Sequence, residues 1–203
     1  MGDNGSPYAG IPREEWARRT EELLAAHPLR RDELVEIVLT CWESTFASRI
    51  GTRGYRIGTH VFPKPQIMGF LLHELIALDL ADRYPTEWRV DRTGRDKDLV
   101  YVPDASLSVE IKTSSHRSQV FGNRSYAQPS PASKKAKSGY YLAVNFEKFT
   151  PHRASPSVVR VRFGWLDHSD WIAQKAATGQ QARLAPGVYE TKIIQIFFKG
   201  AKS

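Results

Sequence analysis

The chain has 203 residues, enough to form a full hydrophobic core without disulfides or a structural metal, so we expect one domain spanning 1–203. It carries 29 Lys and Arg against 22 Asp and Glu, and this net charge of +7 favours an anionic partner. A single cysteine argues against a disulfide framework or a zinc site. With a polar N-terminus and no apolar run of membrane-spanning length, the sequence predicts a soluble, cytoplasmic protein.

The first part of the chain, residues 11–84, has helical periodicity. Apolar side chains recur at helical spacing in three segments, which we predict to be helices: 11–27, 32–51 and 66–85. Gly51 is a stop signal for the second segment, and Pro85 ends the third.

The second part, residues 86–203, has the texture of strands. Short runs rich in β-branched and aromatic residues predict strands at 99–102, 106–113, 140–146, 158–166 and 193–198, and the segment 169–184 is predicted to be a helix. Helices preceding and flanking such strands predict an α/β fold with a mixed central sheet.

The segment "KDLVYVPDASLSVEIKTSS", residues 97–115, has the pattern of a hairpin that carries chemistry. In its second strand, apolar and polar side chains alternate, so the two faces differ. The apolar face carries Leu107, Val109 and Ile111, and the other carries Ser108, Glu110 and Lys112. We therefore expect an exposed strand face with a carboxylate next to an ammonium.

Two aspartates are candidates to work with Glu110. Asp104 lies in "PDAS", whose composition is that of a turn, so Asp104 has a structural explanation. Asp98 begins the partner strand, and a loop with an odd number of residues, for example 103–105, places it opposite Glu110 on the same face. An even loop would place Asp98 on the other face. We favour Asp98.

Two carboxylates held close together repel each other, and a hard divalent cation with oxygen ligands relieves that repulsion. Mg²⁺ bound by Asp98 and Glu110 would polarise a phosphodiester and acidify a water molecule. Lys112 would orient that water or offset charge in the transition state. The pattern thus indicates a metal-dependent nuclease.

This arrangement of aspartate, strand, turn, strand and Glu-X-Lys resembles the PD-(D/E)XK nuclease core. In that superfamily the aspartate commonly opens the first strand, which supports Asp98, and a helical glutamate before the hairpin often helps to hold the metal. Glu74, a charged residue within the apolar segment "FLLHELIALDL", fits that role and is expected to be buried; the alternative is a residue on the helix surface next to His73. Asp96 is a second candidate ligand. His73 has no ligand spacing and is left unassigned.

Two long stretches of the sequence lack acidic residues. No Asp or Glu lies between Glu43 and Glu74, or between Glu110 and Glu147, although both stretches contain several Arg or Lys. Solvated surfaces normally mix the two signs, so acid-free stretches on either side of a carboxylate cluster favour a channel for a polyanion.

The segment 114–135, directly after the predicted catalytic strand, is rich in side chains that can bind base edges or phosphates. We expect DNA contacts from Arg117, Gln119, Asn123, Arg124, Ser125, Tyr126, Gln128, Lys134 and Lys135. Arg124 and Asn123 are predicted base readers, and the two lysines phosphate contacts. A polar surface loop is the plain alternative; the recognition role would then pass to residues 49–64 or to Gln180 and Gln181.

Together with the hairpin, "VFGNRSY", "KSGYYLAVNFEKF" and "RFGWLDHSDWIAQKAATGQQARL" resemble the ScaI-type family of type II restriction endonucleases. The resemblance implies a restriction-endonuclease-like core, Mg²⁺ as cofactor, and a homodimer that cuts both strands of a short palindromic site in double-stranded DNA. It also implies a methyltransferase of matching specificity. A structure-selective, resolvase-like nuclease and an inert DNA-binding module are the alternatives.

Overall fold

The computed structural model describes residues 5–129, 135–176 and 178–200. The helices in these residues are α1 (Trp16–Ala25), α2 (Arg31–Ala47), α3 (Pro65–Arg83) and the short α4 (Val188–Thr191). The strands are β1 (Trp88–Val90), β2 (Leu99–Tyr101), β3 (Val109–Ser114), β4 (Phe121–Asn123), β5 (Gly139–Phe146), β6 (Val158–Leu166), β7 (Trp171–Ala173), β8 (Gln181–Leu184) and β9 (Ile193–Phe198).

The main sheet in the described part of the chain has six strands in the order β1-β2-β3-β5-β6-β9. The pair β3 and β5 is parallel, and the other neighbours are antiparallel. A mixed central sheet with helices confirms the predicted α/β, restriction-endonuclease-like fold class. Because β5 enters the sheet parallel to β3, the residues that precede β5 arrive beside the beginning of β3.

The two faces of the main sheet pack on different apolar clusters. Along β5, Leu142 and Val144 belong to a cluster that includes residues of α1, α2 and α3, whereas Tyr141 and Ala143 belong to a second cluster with the small sheet and α4. This period of two is what a strand buried on both faces requires. Glu110 and Lys112 of β3 lie beside Tyr141 and Ala143, so they are on this second face.

The three predicted helices are present. α3 begins with Pro65 at its first position, where proline's fixed φ angle suits a helix start, and it ends just before Pro85. The same buried apolar cluster joins α2 and α3 to the sheet. The organisation as one domain over 1–203 stays a prediction. No helix in the described residues combines the length and the apolar character needed to cross a membrane.

The prediction of a helix over 169–184 is wrong. The segment forms β7, a turn and β8, and β8 also pairs with β4 to give a small antiparallel sheet in the order β4-β8-β7. Along β8, exposed and buried residues alternate, with Ala182 and Leu184 inside, so pairing and burial with period two prevailed over helical propensity. Before β7, Asp167 is the N-cap of a single turn of 3-10 helix.

The predicted hairpin has the expected parity. Leu99 lies opposite Val109, and one step further along this antiparallel register Asp98 lies opposite Glu110. The connection is longer than the proposed tight turn because it contains a 3-10 helix at Ala105–Leu107. Leu107, predicted to lie in the second strand, therefore belongs to the connection. The register therefore places Asp98, and not Asp104, beside Glu110.

Candidate active site

The side chains of Glu110 and Lys112 project from the face of β3 that meets the second apolar cluster. Lys112 Nζ lies 2.6 Å from Oε1 of Glu110. The expectation of an exposed face is wrong, because the Glu110 side chain is only 1% exposed and that of Lys112 is 16% exposed. Parallel pairing sets Tyr141 of β5 beside Glu110, and the second apolar cluster, which includes Tyr126 and Trp171, covers this face.

Asp98 immediately precedes β2 and is anchored by the neighbouring strand. The backbone N–H of Ile111 donates to its Oδ2 at 2.8 Å, so the carboxylate is held at the level of Glu110. A carboxylate fixed by a backbone N–H loses little conformational freedom on binding a ligand, because its orientation is already set.

Lys135 brings a cation between the two carboxylates. Its Nζ lies 2.7 Å from Oδ1 of Asp98 and 2.7 Å from Oε2 of Glu110. The sequence predicted that Lys135 lies in a plain basic run that grips phosphate, whereas the structure brings it into the carboxylate cluster. Its side chain is 15% exposed. Two buried negative charges attract an available ammonium, and a residue just before β5 is close enough to supply one.

Tyr126 is a second residue that the structure moves from the predicted DNA contacts to this cluster. It is buried, its ring packs near Tyr141 and Trp171, and its hydroxyl donates to Oε1 of Glu110. Burial and the nearby Glu110 carboxylate raise the pKa of the Tyr126 phenol, so it stays a neutral donor. Because its hydroxyl is already used inside the protein, this geometry does not support the predicted contact of Tyr126 with base edges or phosphates.

Lys97 and Lys137 also belong to the cluster, although the sequence did not predict either of them as a site residue. Lys97 is buried with Nζ 4.7 Å from the centre of the Tyr141 ring, and burial lowers its pKa to about 8, with Glu110 opposing that shift. Lys137 Nζ lies 4.3 Å from the centre of the Tyr126 ring. Lys135 and Lys137 are two residues apart before β5, a signal that becomes interpretable only once β5 is known to pair with β3.

The lysines keep both carboxylates ionised. Burial by itself raises the pKa of Asp98, but His73, Lys112 and Lys135 lower it more, well below its usual range. Burial raises the pKa of Glu110 as well, and so does Asp98, yet the surrounding lysines outweigh them and the net shift is downward. Oδ1 of Asp98 and Oε2 of Glu110 therefore belong to ionised carboxylates, and both face the position of Lys135 Nζ.

His73 on α3 links Glu74 to the cluster. Its Nδ1 lies 3.0 Å from Oε1 of Glu74, and its Nε2 lies 3.1 Å from Oδ2 of Asp98. Burial lowers the pKa of His73, but the carboxylates of Asp98 and Glu74 raise it more, which favours the imidazolium. The expectation that Glu74 is buried is wrong, since 43% of its side chain is exposed. Its metal role stays a prediction.

The other two aspartates lie apart from the cluster in structural roles. The Asp104 carboxylate accepts from the backbone N–H of Ser106 at 2.9 Å and caps the short 3-10 helix. Asp96 pairs with Arg89 at 2.6 Å, on the side of the β1–β2 connection. Neither contacts Glu110 or Lys112 in the described structure.

The loop after β3 is held from below by a buried polar pair. The Asn145 amide of β5 donates to the backbone carbonyls of His116 and Gln119 at 2.8 and 2.9 Å. Arg162 of β6 donates to the Asn145 side-chain oxygen at 2.9 Å, and burial lowers the pKa of Arg162 to about 10, so it remains a cation at neutral pH. The loop backbone that carries the exposed Arg117 is thereby fixed.

The remaining predicted DNA contacts lie on or beside the small sheet. Asn123, at the end of β4, is exposed and lies opposite Gln181 of β8. The guanidinium of Arg124 donates to the carbonyls of Ala176 and Gly179 at 3.4 and 3.5 Å, so it also supports the β7–β8 turn. Exposed side chains follow at Ser125 and Gln128. The segment 114–135 and the residue Gln181, which the sequence offered as alternatives for recognition, are thus neighbours in the small sheet. Lys134 lies outside the described residues.

The residues present fit a divalent cation through two carboxylates. Oε2 of Glu110 is buried and makes no hydrogen bond; its 2.7 Å approach to Lys135 has the distance of an ion pair without hydrogen-bond direction. A buried, ionised oxygen with that one contact can accept a metal. Within the described ranges, no group of three His, Cys, Asp or Glu side chains converges to hold a metal ion, so further ligands would come from backbone, water or phosphate oxygens.

Comparison with known proteins agrees with the nuclease predicted from the sequence. The sequence model of the family described as ScaI restriction endonuclease matches residues 6–197. The chain belongs to the ScaI restriction endonuclease family. It is 51% identical to the type II restriction enzyme ScaI of Streptomyces caespitosus over 200 residues, which cover 97% of this chain and 87% of the relative. No solved structure matches the chain.

Membership of the ScaI restriction endonuclease family makes the chain a type II, sequence-specific restriction endonuclease, as its motifs predicted. The roles of the individual residues are not decided by this membership and stay predictions. The cluster of Asp98, Glu110 and Lys112 is the site to which we assign that activity below.

Proposed function

We propose that this ScaI-family endonuclease hydrolyses one phosphodiester in each strand of a short palindromic site in double-stranded DNA, with Mg²⁺ held at Asp98 and Glu110. One observation carries the assignment. Oxygens from both carboxylates converge on a single cation position, now taken by Lys135 Nζ, 2.7 Å from each. That position lies beside Lys112, whose Nζ is 2.6 Å from Glu110.

In this proposal Asp98 and Glu110 hold the metal, and Lys112 acts on the phosphate. A bound Mg²⁺ supplies positive charge to the phosphoryl oxygens and acidifies the attacking water. Glu110 accepts from Lys112 and Tyr126, so both donors are fixed before DNA arrives. The Lys112 ammonium, so oriented, stabilises the extra negative charge that develops on the phosphate oxygens in the transition state.

The predicted DNA contacts divide into two kinds. Asn123 and Gln181 form a cross-strand pair at one end of the small sheet. Their exposed side chains, and that of Arg117 in the loop after β3, are candidates for base contacts. The acid-free stretch between Glu43 and Glu74 supplies cations for phosphate contacts, which add affinity without sequence preference. Both kinds are needed for a site-specific nuclease.

The quaternary and cellular parts of the proposal follow from the chemistry. A palindromic site presents two equivalent phosphates, which a homodimer with two catalytic centres can cut. Ile67 and Phe70, three residues apart on α3 and both more than half exposed, offer apolar surface for a contact with a second copy. A cell that keeps such an enzyme in its cytoplasm needs a methyltransferase that protects the same sites in its own genome.

The experiment is digestion of a plasmid of known sequence with and without Mg²⁺, followed by sequencing of the ends. The expected result is a set of discrete fragments whose ends share one short palindrome, with none formed by an Asp98→Asn variant purified in parallel. Ends without a shared sequence, or cutting only of branched DNA, would support the structure-selective nuclease. Binding without cutting in any divalent ion would support the inert module.

A further inference from the structure

Each of the two site carboxylates uses one oxygen for anchoring and leaves the other for a cation. Oδ2 of Asp98 is held by the Ile111 N–H and His73, and Oε1 of Glu110 by Lys112 and Tyr126. The remaining oxygens, Oδ1 of Asp98 and Oε2 of Glu110, both contact Lys135.

Lys135 therefore lies where the metal is expected. Its Nζ is 2.7 Å from both remaining oxygens, and its side chain is largely buried. The other oxygen of each carboxylate already accepts hydrogen bonds. An incoming cation could bind that oxygen only by breaking one of these bonds. It has to take the oxygens that Lys135 uses.

We propose that Lys135 is the internal counter-cation of the catalytic centre and competes with the divalent metal ion for Oδ1 of Asp98 and Oε2 of Glu110. This rests on the proposed function, because it takes the metal site to be the same pair of carboxylates. In the DNA-free protein the ammonium neutralises the buried carboxylates and keeps their repulsion from destabilising the fold.

The charge of the cluster explains why the two cations exclude each other. Lys97, Lys112 and Lys135 already surround two carboxylates, so a divalent ion added without withdrawal of an ammonium would meet uncompensated like charge at close range. Lys135, released from the carboxylates, needs a new anionic partner, and the DNA phosphate is that partner. Metal binding is thereby coupled to DNA binding: each strengthens the other by the same factor.

The test measures metal binding by the full chain without DNA, so it does not depend on cleavage. Mn²⁺ binding is followed by calorimetry and by the electron paramagnetic resonance signal of the free ion. Lys135→Met removes the ammonium and keeps the length of the side chain, and Lys148→Met, an exposed lysine after β5, is the control with the same change in net charge. Lys135→Met should bind Mn²⁺ at least about tenfold more tightly than the wild type. Equal affinities for the two variants would overturn the proposal.

A second variant covers the case in which Lys135→Met does not fold without metal. Lys135→Arg keeps a cation between the two carboxylates, so it should not bind Mn²⁺ more tightly than the wild type; a gain of about tenfold or more in this variant would overturn the proposal. An unfolded Lys135→Met should regain its circular dichroism spectrum when Mn²⁺ is added, because the metal replaces the missing charge. Failure of Mn²⁺ to restore it would overturn the proposal.

The Asp98→Asn variant separates this proposal from the one on which it rests. Loss of Mn²⁺ binding in Asp98→Asn, with equal affinity in Lys135→Met and the wild type, would reject the role of Lys135 and keep the metal site. Unchanged Mn²⁺ binding in Asp98→Asn would reject the metal site itself, and the competition with it.

Discussion

His73 Nε2 on α3 lies 3.1 Å from Oδ2 of Asp98, and the other nitrogen of the same ring lies 3.0 Å from Glu74. Through this ring a half-exposed helical glutamate is connected to the buried carboxylate cluster. The glutamate predicted to bind the metal thus has an indirect route to it, by fixing the histidine that fixes Asp98.

We predict that His73→Ala and Glu74→Gln act on cleavage through one path. His73→Ala should lower the cleavage rate roughly 10- to 100-fold, the usual effect of losing a partner that orients a metal ligand. The double variant should be no worse than His73→Ala alone, because Glu74 then has nothing left to orient. The measurement is single-turnover plasmid cleavage, with the exposed Asp82→Asn on the same helix as the control. Effects that multiply would instead assign Glu74 a direct contact with metal or DNA.

The hairpin register predicts opposite outcomes for two nearby aspartates. Asp98→Asn and Glu110→Gln should each lower cleavage by about 10²-fold to 10³-fold or more, because each removes a charged oxygen that holds the metal, and with it the positive charge that stabilises the transition state. Asp104→Asn should cut at nearly the wild-type rate, since Asp104 only caps a short exposed 3-10 helix. Amide replacements are preferred to alanine because they keep the side-chain volume, and a glutamine oxygen can still accept from Lys112 and Tyr126. An inactive Asp104→Asn with an active Asp98→Asn would contradict the assignment.

Base reading and phosphate contact should separate in a salt series. Asn123→Ala should lose roughly 1–3 kcal/mol of discrimination between cognate and scrambled duplexes, as expected for a side chain that binds a base edge. Arg56→Ala, in the acid-free stretch before α3, should weaken both duplexes alike and reduce the salt dependence. Affinities are measured by fluorescence anisotropy with Ca²⁺ in place of Mg²⁺. Asn123 is a cleaner probe than Arg124, whose loss would also disturb the β7–β8 turn. Equal losses on both duplexes for Asn123→Ala would remove this sheet edge from recognition.

Acid should destabilise the fold through His27. Its Nδ1 accepts from the backbone N–H of Leu29 and its Nε2 donates to the Leu107 carbonyl, so the buried ring is neutral. Burial lowers its pKa to about 4, below the usual 6.5. Between these values the unfolded chain binds a proton that the folded chain does not, so stability falls as the pH falls through this window. Stability at pH 7 is unaffected because the ring is neutral in both states.

The expected size of this effect is about 2 kcal/mol at pH 5 relative to pH 7. Urea unfolding at the two pH values should show a loss larger by that amount in the wild type than in His27→Gln, which removes the titrating group. All other titrating groups are common to the two proteins and cancel. Equal losses in both proteins would show that His27 becomes protonated without cost to the fold.

The sequence by itself determined the features that depend on local pattern. Alternation along 106–113 separates Val109 and Ile111 from Glu110 and Lys112, whatever the strand packs against. Turn chemistry accounts for Asp104 and so favours Asp98, but only the register of the structure places Asp98 opposite Glu110. Helical spacing and proline placement define α1 to α3 because these are properties of consecutive residues.

Only the tertiary structure decided which distant residues complete the site. Parallel pairing of β5 with β3 brings Lys135 to the carboxylates, the packing of α3 brings His73 to Asp98, and the fold of the small sheet buries Tyr126 against Glu110. The segment 169–184 became strands for the same reason, since β8 pairs with β4, which lies about 60 residues earlier in the chain. Local propensity carries no information about such partners. Their identity matters most at the active site, because the buried charges there need partners of opposite charge.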